Sequence, residues 1–201
     1  KLSEFHEELK RLDINIIRPD INNCYADFKS DGENFYYALG ALKNVGFDAI
    51  SNLVNERIKN GSFISLKDFI KRVNPKDINK LQLEGLVKAG VFDKLNDNRQ
   101  SIFNSIPNII LHSKNIFSNK LANQNDLFNN EEDKNDNILE EIKDWKIEER
   151  LSKEFQTLGF FMSDHPLNQF KNLYDEYKIK NYSEFNLNNE AIEVNIASTV
   201  L

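Results

Sequence analysis

The sequence has few of the residues that build disulfides and metal sites. Cys24 is its only cysteine, and the three histidines, His6, His112 and His165, lie far apart. One cysteine cannot form an internal disulfide, and no second His or Cys stands at the spacing of a zinc-ligand pair. The composition therefore excludes a disulfide-stabilised fold, favours a reducing compartment and predicts no metal site.

Long hydrophobic runs are also absent. No apolar stretch approaches the roughly 20 residues that a membrane-spanning helix needs. The opening KLSE has neither the apolar core of a signal peptide nor an initiator methionine. The sequence therefore predicts a soluble, cytoplasmic chain that has no membrane partner and is cut from a longer protein.

The phosphate-binding loop GxxxxGK and the nucleophile elbow GxSxG are missing too, so no catalytic residue is predicted here.

The net charge of −6 hides a basic segment. Residues 39–115 carry 12 basic and 7 acidic side chains, whereas residues 121–160 carry 5 basic and 11 acidic ones. An excess of Lys and Arg attracts the phosphate backbone of nucleic acids, and an acidic segment repels it. The charge pattern therefore places a candidate nucleic-acid site within residues 39–115.

The apolar residues recur mostly at helical spacing, which predicts a mainly α fold. Ser3 is the expected N-cap of the first helix. Asn74 and Pro75 would begin a later helix as its cap and first residue, and Pro107 must kink or split another. The predicted helices cover residues 3–12, 47–59, 65–73, 74–87, 99–112, 138–155 and the residues after a cap at 163–166.

Three regions depart from the helical pattern. Asp31-Gly32, between residues 26–29 and 34–37, predicts a hairpin of two short antiparallel strands. Residues 113–137 are polar and without apolar periodicity, which predicts a mobile linker. Residues 191–200 alternate apolar and polar side chains like one strand of a larger sheet. The expected fold is thus mainly α, with a small N-terminal β-hairpin and a truncated C-terminal strand.

Two glycine-containing segments lie in the basic region. Residues 39–46 read LGALKNVG and directly precede the helix from Phe47, and residues 83–93 read LEGLVKAGVFD. Both match the helix-hairpin-helix pattern, in which a glycine lets the backbone approach a phosphate and the next helix directs free N–H groups at it. Such a site binds the DNA backbone and not the bases. The predicted DNA-binding residues are Lys43, Asn44, Val45, Gly46, Lys88, Ala89, Gly90 and Val91.

A simpler interpretation of both segments stays open. The glycines could merely end helices, and Lys43 and Lys88 could belong to a solvated surface. The presence of two copies, about 44 residues apart and both inside the basic segment, favours DNA contact.

Five segments resemble, in order and spacing, the bacterial replicative DNA polymerase III alpha subunits, which are family C DNA polymerases. They are residues 18–22, 39–46, 86–93, 149–151 and 158–167. The resemblance covers nearly the whole chain. Gly85 departs from it, because the family has a better helix former there, and glycine costs a helix about 1 kcal/mol.

The resemblance implies both a domain layout and an activity for the longer protein. That protein would be a DNA-directed DNA polymerase, a nucleotidyltransferase that needs Mg²⁺ and acts in DNA replication with other holoenzyme subunits. Its catalytic aspartates would precede these residues, and none of the residues here matches them. The implied layout is the end of the fingers (1–38), a tandem helix-hairpin-helix module (39–120), a mobile linker (121–137), a helical segment (138–190) and the first strand of an OB-fold (191–201).

The linker contains residues 124–128, QNDLF. The resemblance implies that Gln124, Asp126, Leu127 and Phe128 bind the sliding clamp. A polar loop with a single adjacent apolar pair is a typical short linear motif that docks into a groove on a partner. The alternative is that the pair folds back onto the helical domain.

Two other functions remain open. The chain could be a helix-hairpin-helix module of a repair or recombination factor, although the match at residues 158–167 lies outside the hairpins and favours the polymerase. It could also be a purely structural connector with negligible affinity for DNA.

Overall fold

The chain has a mainly α architecture, as predicted. The computed structural model describes residues 2–121, 138–180 and 195–198. The chain forms two compact units, Lys1–Phe160 and Phe161–Leu201. The helices are α1 (Leu2–Arg11), α2 (Phe47–Asn60), α3 (Leu66–Arg72), α4 (Lys80–Lys88), α5 (Arg99–Asn104), α6 (Ile106–Leu121), α7 (Ile147–Leu158) and α8 (Lys171–Glu176), with 3₁₀ turns at Leu39–Ala41 and Pro166–Phe170.

A three-stranded sheet follows α1. Its strands, β1 (Asn15–Ile17), β2 (Lys29–Ser30) and β3 (Asn34–Tyr36), lie in the order β1–β3–β2. β2 and β3 run antiparallel, which confirms the predicted hairpin. The Asp31 carboxylate fixes its turn by accepting the N–H of Asn34 at 2.8 Å, and this bond holds the pKa of Asp31 well below its usual range. β1 pairs with β3 in parallel, and a strand of three residues is too short to predict from alternation.

α1 packs on the sheet through aromatic rings. The ring centroids of Phe5 and Phe35 are 5.4 Å apart. His6 is buried against Phe160 at 4.7 Å, and this burial lowers the pKa of His6. The helix was predicted, but it begins one residue before Ser3, which therefore lies in its first turn and is not its N-cap.

The helices of the first unit share a buried apolar core. The rings of Phe63, Phe69 and Phe92 form a chain of edge-to-face contacts, with centroids 5.2 and 5.0 Å apart. α2 and α4 direct their apolar faces inward, as their spacing predicts. Their buried residues include Ile50, Leu53, Leu83, Leu86 and Val87.

The predicted start of α4 is wrong. The cap is Asn79, whose side chain accepts the N–H of Gln82 while the Gln82 side chain accepts the N–H of Asn79. This reciprocal pair satisfies two N–H groups that would otherwise lack a partner. The Asn74 side chain instead accepts the N–H of Lys76 and forms a separate turn.

The prediction for residues 99–112 is confirmed, whereas that for the start of the linker is wrong. Pro107 lies in the first turn of α6, where N–H groups have no acceptor within the helix, so the missing N–H of proline costs no hydrogen bond. It also separates α6 from α5. α6 then continues through residues 113–121, which were expected to be a loop. Buried Ser113 and half-buried Ile116 and Phe117 extend its inner face despite the polar composition around them.

Residues 138–146 are irregular and not helical as predicted. Their backbone oxygens accept hydrogen bonds from side chains at the start of α5. Ser101 donates to the Glu140 carbonyl and Asn98 donates to the Ile142 carbonyl, both at 2.6 Å. Because these carbonyl oxygens accept bonds from the start of α5, the segment lies along α5 instead of forming a helix. The predicted helix therefore begins only with α7.

The second unit contains the predicted cap. Nδ1 of His165 accepts the N–H of Leu167 at 3.2 Å and precedes the 3₁₀ turn that leads into α8. Lys180 donates its N–H to the Asn195 carbonyl at 3.1 Å, and Asn195 forms an isolated bridge with Ile179. Residues 196–198 are irregular and not a strand as predicted, and residues 191–194 and 199–200 of the predicted strand lie outside the described residues.

Candidate nucleic-acid interface

The first hairpin is shorter than predicted. Its first helix is a single 3₁₀ turn, Leu39–Ala41, which ends at Leu42, where the backbone is extended (ψ 139°). Two of its N–H groups donate to preceding residues. Leu39 donates to the Tyr25 carbonyl at 2.8 Å and Gly40 to the Ala26 carbonyl at 3.0 Å. The hairpin turn is therefore attached to the N-terminal part of the same unit.

The turn leaves the start of α2 uncovered. Asn44 is exposed and has a φ of 66°, and Val45 is buried beneath it. Gly46 is the N-cap of α2 and supplies no capping side chain. The N–H groups of Gly46, Phe47 and Asp48 donate to no acceptor among the described residues. Gly46 has a φ of −81°, so its value to the turn is its missing side chain and not a left-handed backbone.

Gly85 brings the two hairpins into contact. A Cβ atom on Gly85 would lie 2.8 Å from the Lys43 carbonyl oxygen and 2.9 Å from Cγ2 of Val45. Only glycine lets α4 approach the first turn this closely. Close packing against the first turn therefore outweighs the low helix propensity of glycine at this position.

A polar cleft of about 310 Å³ lies beside this contact. It brings together Lys43 and Lys88, the two lysines that immediately precede the predicted turns. Lys43 also donates its N–H to the Thr157 carbonyl at 3.2 Å, which connects the turn to α7. The residues that line the cleft are Lys43, Asn44, Glu84, Gly85, Lys88, Gln156 and Thr157.

The second turn closes on itself. Gly90 has a φ of 77°, as a helix C-terminus requires, and donates its N–H to the Val87 carbonyl, while Val91 donates to the Leu86 carbonyl. Ala89, Gly90 and Val91 are all buried. α5 does not begin until residue 99, so no helix N-terminus follows the turn directly.

The guanidinium of Arg99 occupies the space next to Gly90. It donates to the Asp93 carboxylate at 2.8 and 2.6 Å and to the Lys88 carbonyl at 3.1 Å, and its side chain is 6% exposed. Burial alone lowers the pKa of Arg99, but the bonds to Asp93 and the charge of Glu154 raise it overall. A side chain on Gly90 would collide with this guanidinium. Of the four residues predicted for the second hairpin, only Lys88 thus reaches the cleft.

Sequence reasoning missed three side chains of this site. Glu84 could have been found, because it lies four residues before Lys88 and so on the same face of α4. Gln156 and Thr157 lie on α7, about 70 residues away in sequence, and no local pattern connects them to the hairpins. The predicted clamp-binding residues, 124–128, lie outside the described residues, so that prediction stays untested.

The part of the chain that the structure describes has neither a metal-binding cluster nor a membrane-spanning helix. No group of three or more His, Cys, Asp or Glu side chains that could hold a metal ion occurs within residues 2–121, 138–180 and 195–198. None of the described helices is both long and apolar enough to cross a membrane.

Comparison with known families first defines the class of the fold. A family model described as a helix-hairpin-helix motif matches residues 13–102. The match includes the sheet, the first turn, α2 to α4 and the second turn, and so covers the first turn and α4 of the cleft but not α7.

Comparison with curated proteins then defines the family. A DNA polymerase III subunit alpha of Borreliella burgdorferi is 36% identical over 186 residues, 90% of this chain, and one of Caulobacter vibrioides is 34% identical over 83% of it. A third, from Xylella fastidiosa, is 30% identical over 96%. The chain belongs to the DNA polymerase III alpha subunit family, as the resemblance predicted. It spans about one sixth of the length of these relatives, 15–16%.

Proposed function

We propose that this chain binds the backbone of duplex DNA through the first hairpin turn and the cleft beside it. The observation that carries the proposal is the convergence of Lys43 and Lys88, from two separate hairpins, on one polar cleft. The unpaired N–H groups at the start of α2 follow Asn44, which lines the same cleft. Amides and ammonium groups together suit a phosphate.

The two hairpins play different parts in this proposal. The first offers backbone N–H groups and Lys43 to a phosphate, whereas the second contributes Lys88 and keeps its own turn closed around Arg99. Contacts of this kind carry no base specificity. We expect weak binding, with dissociation constants of roughly 10⁻⁴ to 10⁻⁶ M at physiological salt.

The longer protein is proposed to be a replicative DNA polymerase. The names of the relatives support this activity, and Mg²⁺, other holoenzyme subunits and a cytoplasmic location belong to the same proposal. We assign no catalytic and no cofactor-binding residue to this chain. Its role would be to hold the duplex while synthesis takes place elsewhere in the polymerase.

Residues 124–128 are proposed to tether the polymerase to its sliding clamp. The support is the sequence: Leu127 and Phe128 form the only pair of large apolar residues between Leu121 and Ile138. The pair would enter an apolar groove on the clamp while Gln124 hydrogen-bonds at the other end of that groove. A weak contact suffices, because a clamp and a hairpin module that share one DNA raise each other's effective concentration.

A salt titration tests the DNA-binding proposal. The affinity of the 201-residue chain for a labelled duplex is measured by fluorescence anisotropy over a range of salt concentrations. We expect log K to fall linearly with log salt, and Lys43→Ala and Lys88→Ala each to reduce the slope by about 0.9. The matched control is Lys59→Ala, an exposed lysine near the opposite end of α2, roughly 20 Å away.

The control separates a local site from general attraction. Lys59→Ala should leave the slope nearly unchanged. Absence of salt-dependent binding by the wild-type chain would contradict the proposal and favour a structural connector. Equal effects of all three substitutions would show that the lysines act only through net charge.

A further inference from the structure

The cleft contains an acidic side chain that a phosphate-binding site does not need. Glu84 lies one helical turn before Lys88 on α4, and both line the cleft together with Lys43. The Glu84 side chain is only 20% exposed. Its ion pair with Lys80 is long, at 3.9 Å, and the Lys80 side chain is 71% exposed.

This ion pair does not explain the presence of Glu84 through stability. A pair between helix neighbours with one solvent-exposed partner contributes little. Glutamate and glutamine also have nearly equal helix propensity, so α4 does not require the charge. The main effect of the carboxylate is therefore expected on a molecule that enters the cleft.

The charges of the cleft oppose one another. Lys43 and Lys88 attract a phosphodiester, which carries one negative charge, and Glu84 repels it. A half-buried carboxylate is poorly screened from an anion bound a few ångströms away. The approach of DNA must therefore overcome the repulsion by Glu84.

We propose that Glu84 acts as an internal competitor of the DNA phosphate and so weakens the grip of the cleft on DNA. The proposal rests on the proposed DNA-binding function and adds a residue that lowers the affinity for DNA. A weakened grip has a use, because a polymerase segment that holds the duplex must release each phosphate as it advances. Glu84 would favour repeated release over tight, static binding.

The substitution Glu84→Gln tests this proposal. Anisotropy titrations of the 201-residue chain at low salt should show binding to the duplex that is about two- to fivefold tighter than wild type. The gain should shrink as salt rises, because the repulsion is screened. The matched control is Glu148→Gln, the same chemical change at an exposed position in the first turn of α7, which should change affinity little.

A second background makes the test specific for the cleft. In the chain that carries Lys43→Ala and Lys88→Ala, Glu84→Gln should produce a smaller gain, because only the backbone N–H groups at the start of α2 remain to hold the phosphate. Thermal unfolding of each variant confirms that the fold is intact, and we expect an unchanged Tm for Glu84→Gln.

The outcomes separate this proposal from the one on which it rests. If Lys43→Ala weakens binding but Glu84→Gln leaves it unchanged, the DNA site stands and the competitor is refuted. Equal gains from Glu84→Gln and Glu148→Gln, or a gain that is undiminished without the two lysines, would also refute it. If the wild-type chain binds no DNA, both proposals fall.

Discussion

Replacing Gly85 by alanine sets two effects of opposite sign against each other. In an isolated helix the change would stabilise α4 by about 1 kcal/mol. Here the new Cβ would lie 2.8 Å from the Lys43 carbonyl oxygen and 2.9 Å from Cγ2 of Val45. The first of these atoms is backbone, which cannot rotate away, so α4 or the turn must shift.

The magnitude follows from these distances. Overpacking of this kind costs about 1–3 kcal/mol, which exceeds the gain in helix propensity and leaves a net loss of about 1 kcal/mol. Displacement of α4 would also move Lys88 relative to Lys43. We therefore expect Gly85→Ala to lower the free energy of unfolding and to weaken DNA binding together.

Urea denaturation gives the free energy of unfolding, and anisotropy gives the affinity for a duplex. Gly85→Val serves as the graded comparison, because its larger, β-branched side chain should cost more on both measures. If Gly85→Ala instead stabilised the chain by about 1 kcal/mol, the value for an unhindered helix, close packing against the first turn would not be what requires glycine here.

Three further predictions concern other parts of the chain. Gly46→Asp should weaken DNA binding more than Lys43→Ala, because it places a carboxylate where the phosphate approaches; equal anisotropy curves for a folded mutant and wild type would remove this turn from the site. Burial lowers the pKa of His6 from its ordinary value of 6.5, so the folded chain holds His6 neutral. This contribution to stability is present above the unfolded pKa and is lost as the pH falls through the folded pKa. The Tm of His6→Leu should therefore depend less on pH in the acidic range than that of wild type, and an equal dependence would refute this. The double substitution Leu127→Ala with Phe128→Ala should abolish sliding-clamp binding in a surface-plasmon assay without lowering the Tm. Each of the two side chains contributes roughly 1.5–3 kcal/mol to the binding free energy when the clamp buries it. Retained binding, or unfolding of the variant, would contradict this prediction.

The sequence predicts elements well where one local signal dominates. The turn at Asp31 and the end of α2, predicted at residue 59 and found at Asn60, carry their information within a few residues. The start of α4 fails because Asn74 and Asn79 are both good caps. Only the reciprocal bonds with Gln82 decide between them.

The candidate site is only half predictable for a similar reason. Lys43, Lys88 and the two turns follow from local motifs, and the structure brings the two lysines to one cleft. The closure of the second turn depends on Arg99, nine residues beyond Gly90, and on its pairing with Asp93. Long-range pairing of this kind is not visible in hydrophobic periodicity or turn composition.

We expect the two hairpin turns to bind DNA unequally, because the first presents N–H groups that have no acceptor among the described residues and the second is closed around Arg99. Titration of the ¹⁵N-labelled chain with duplex DNA, followed by amide NMR spectra, tests it most directly. We expect the amide signals of Asn44 and Gly46 to shift with added DNA while those of Gly90 and Val91 stay in place. Shifts at Gly90 and Val91 as large as those at Gly46, or no shift at Gly46, would contradict it.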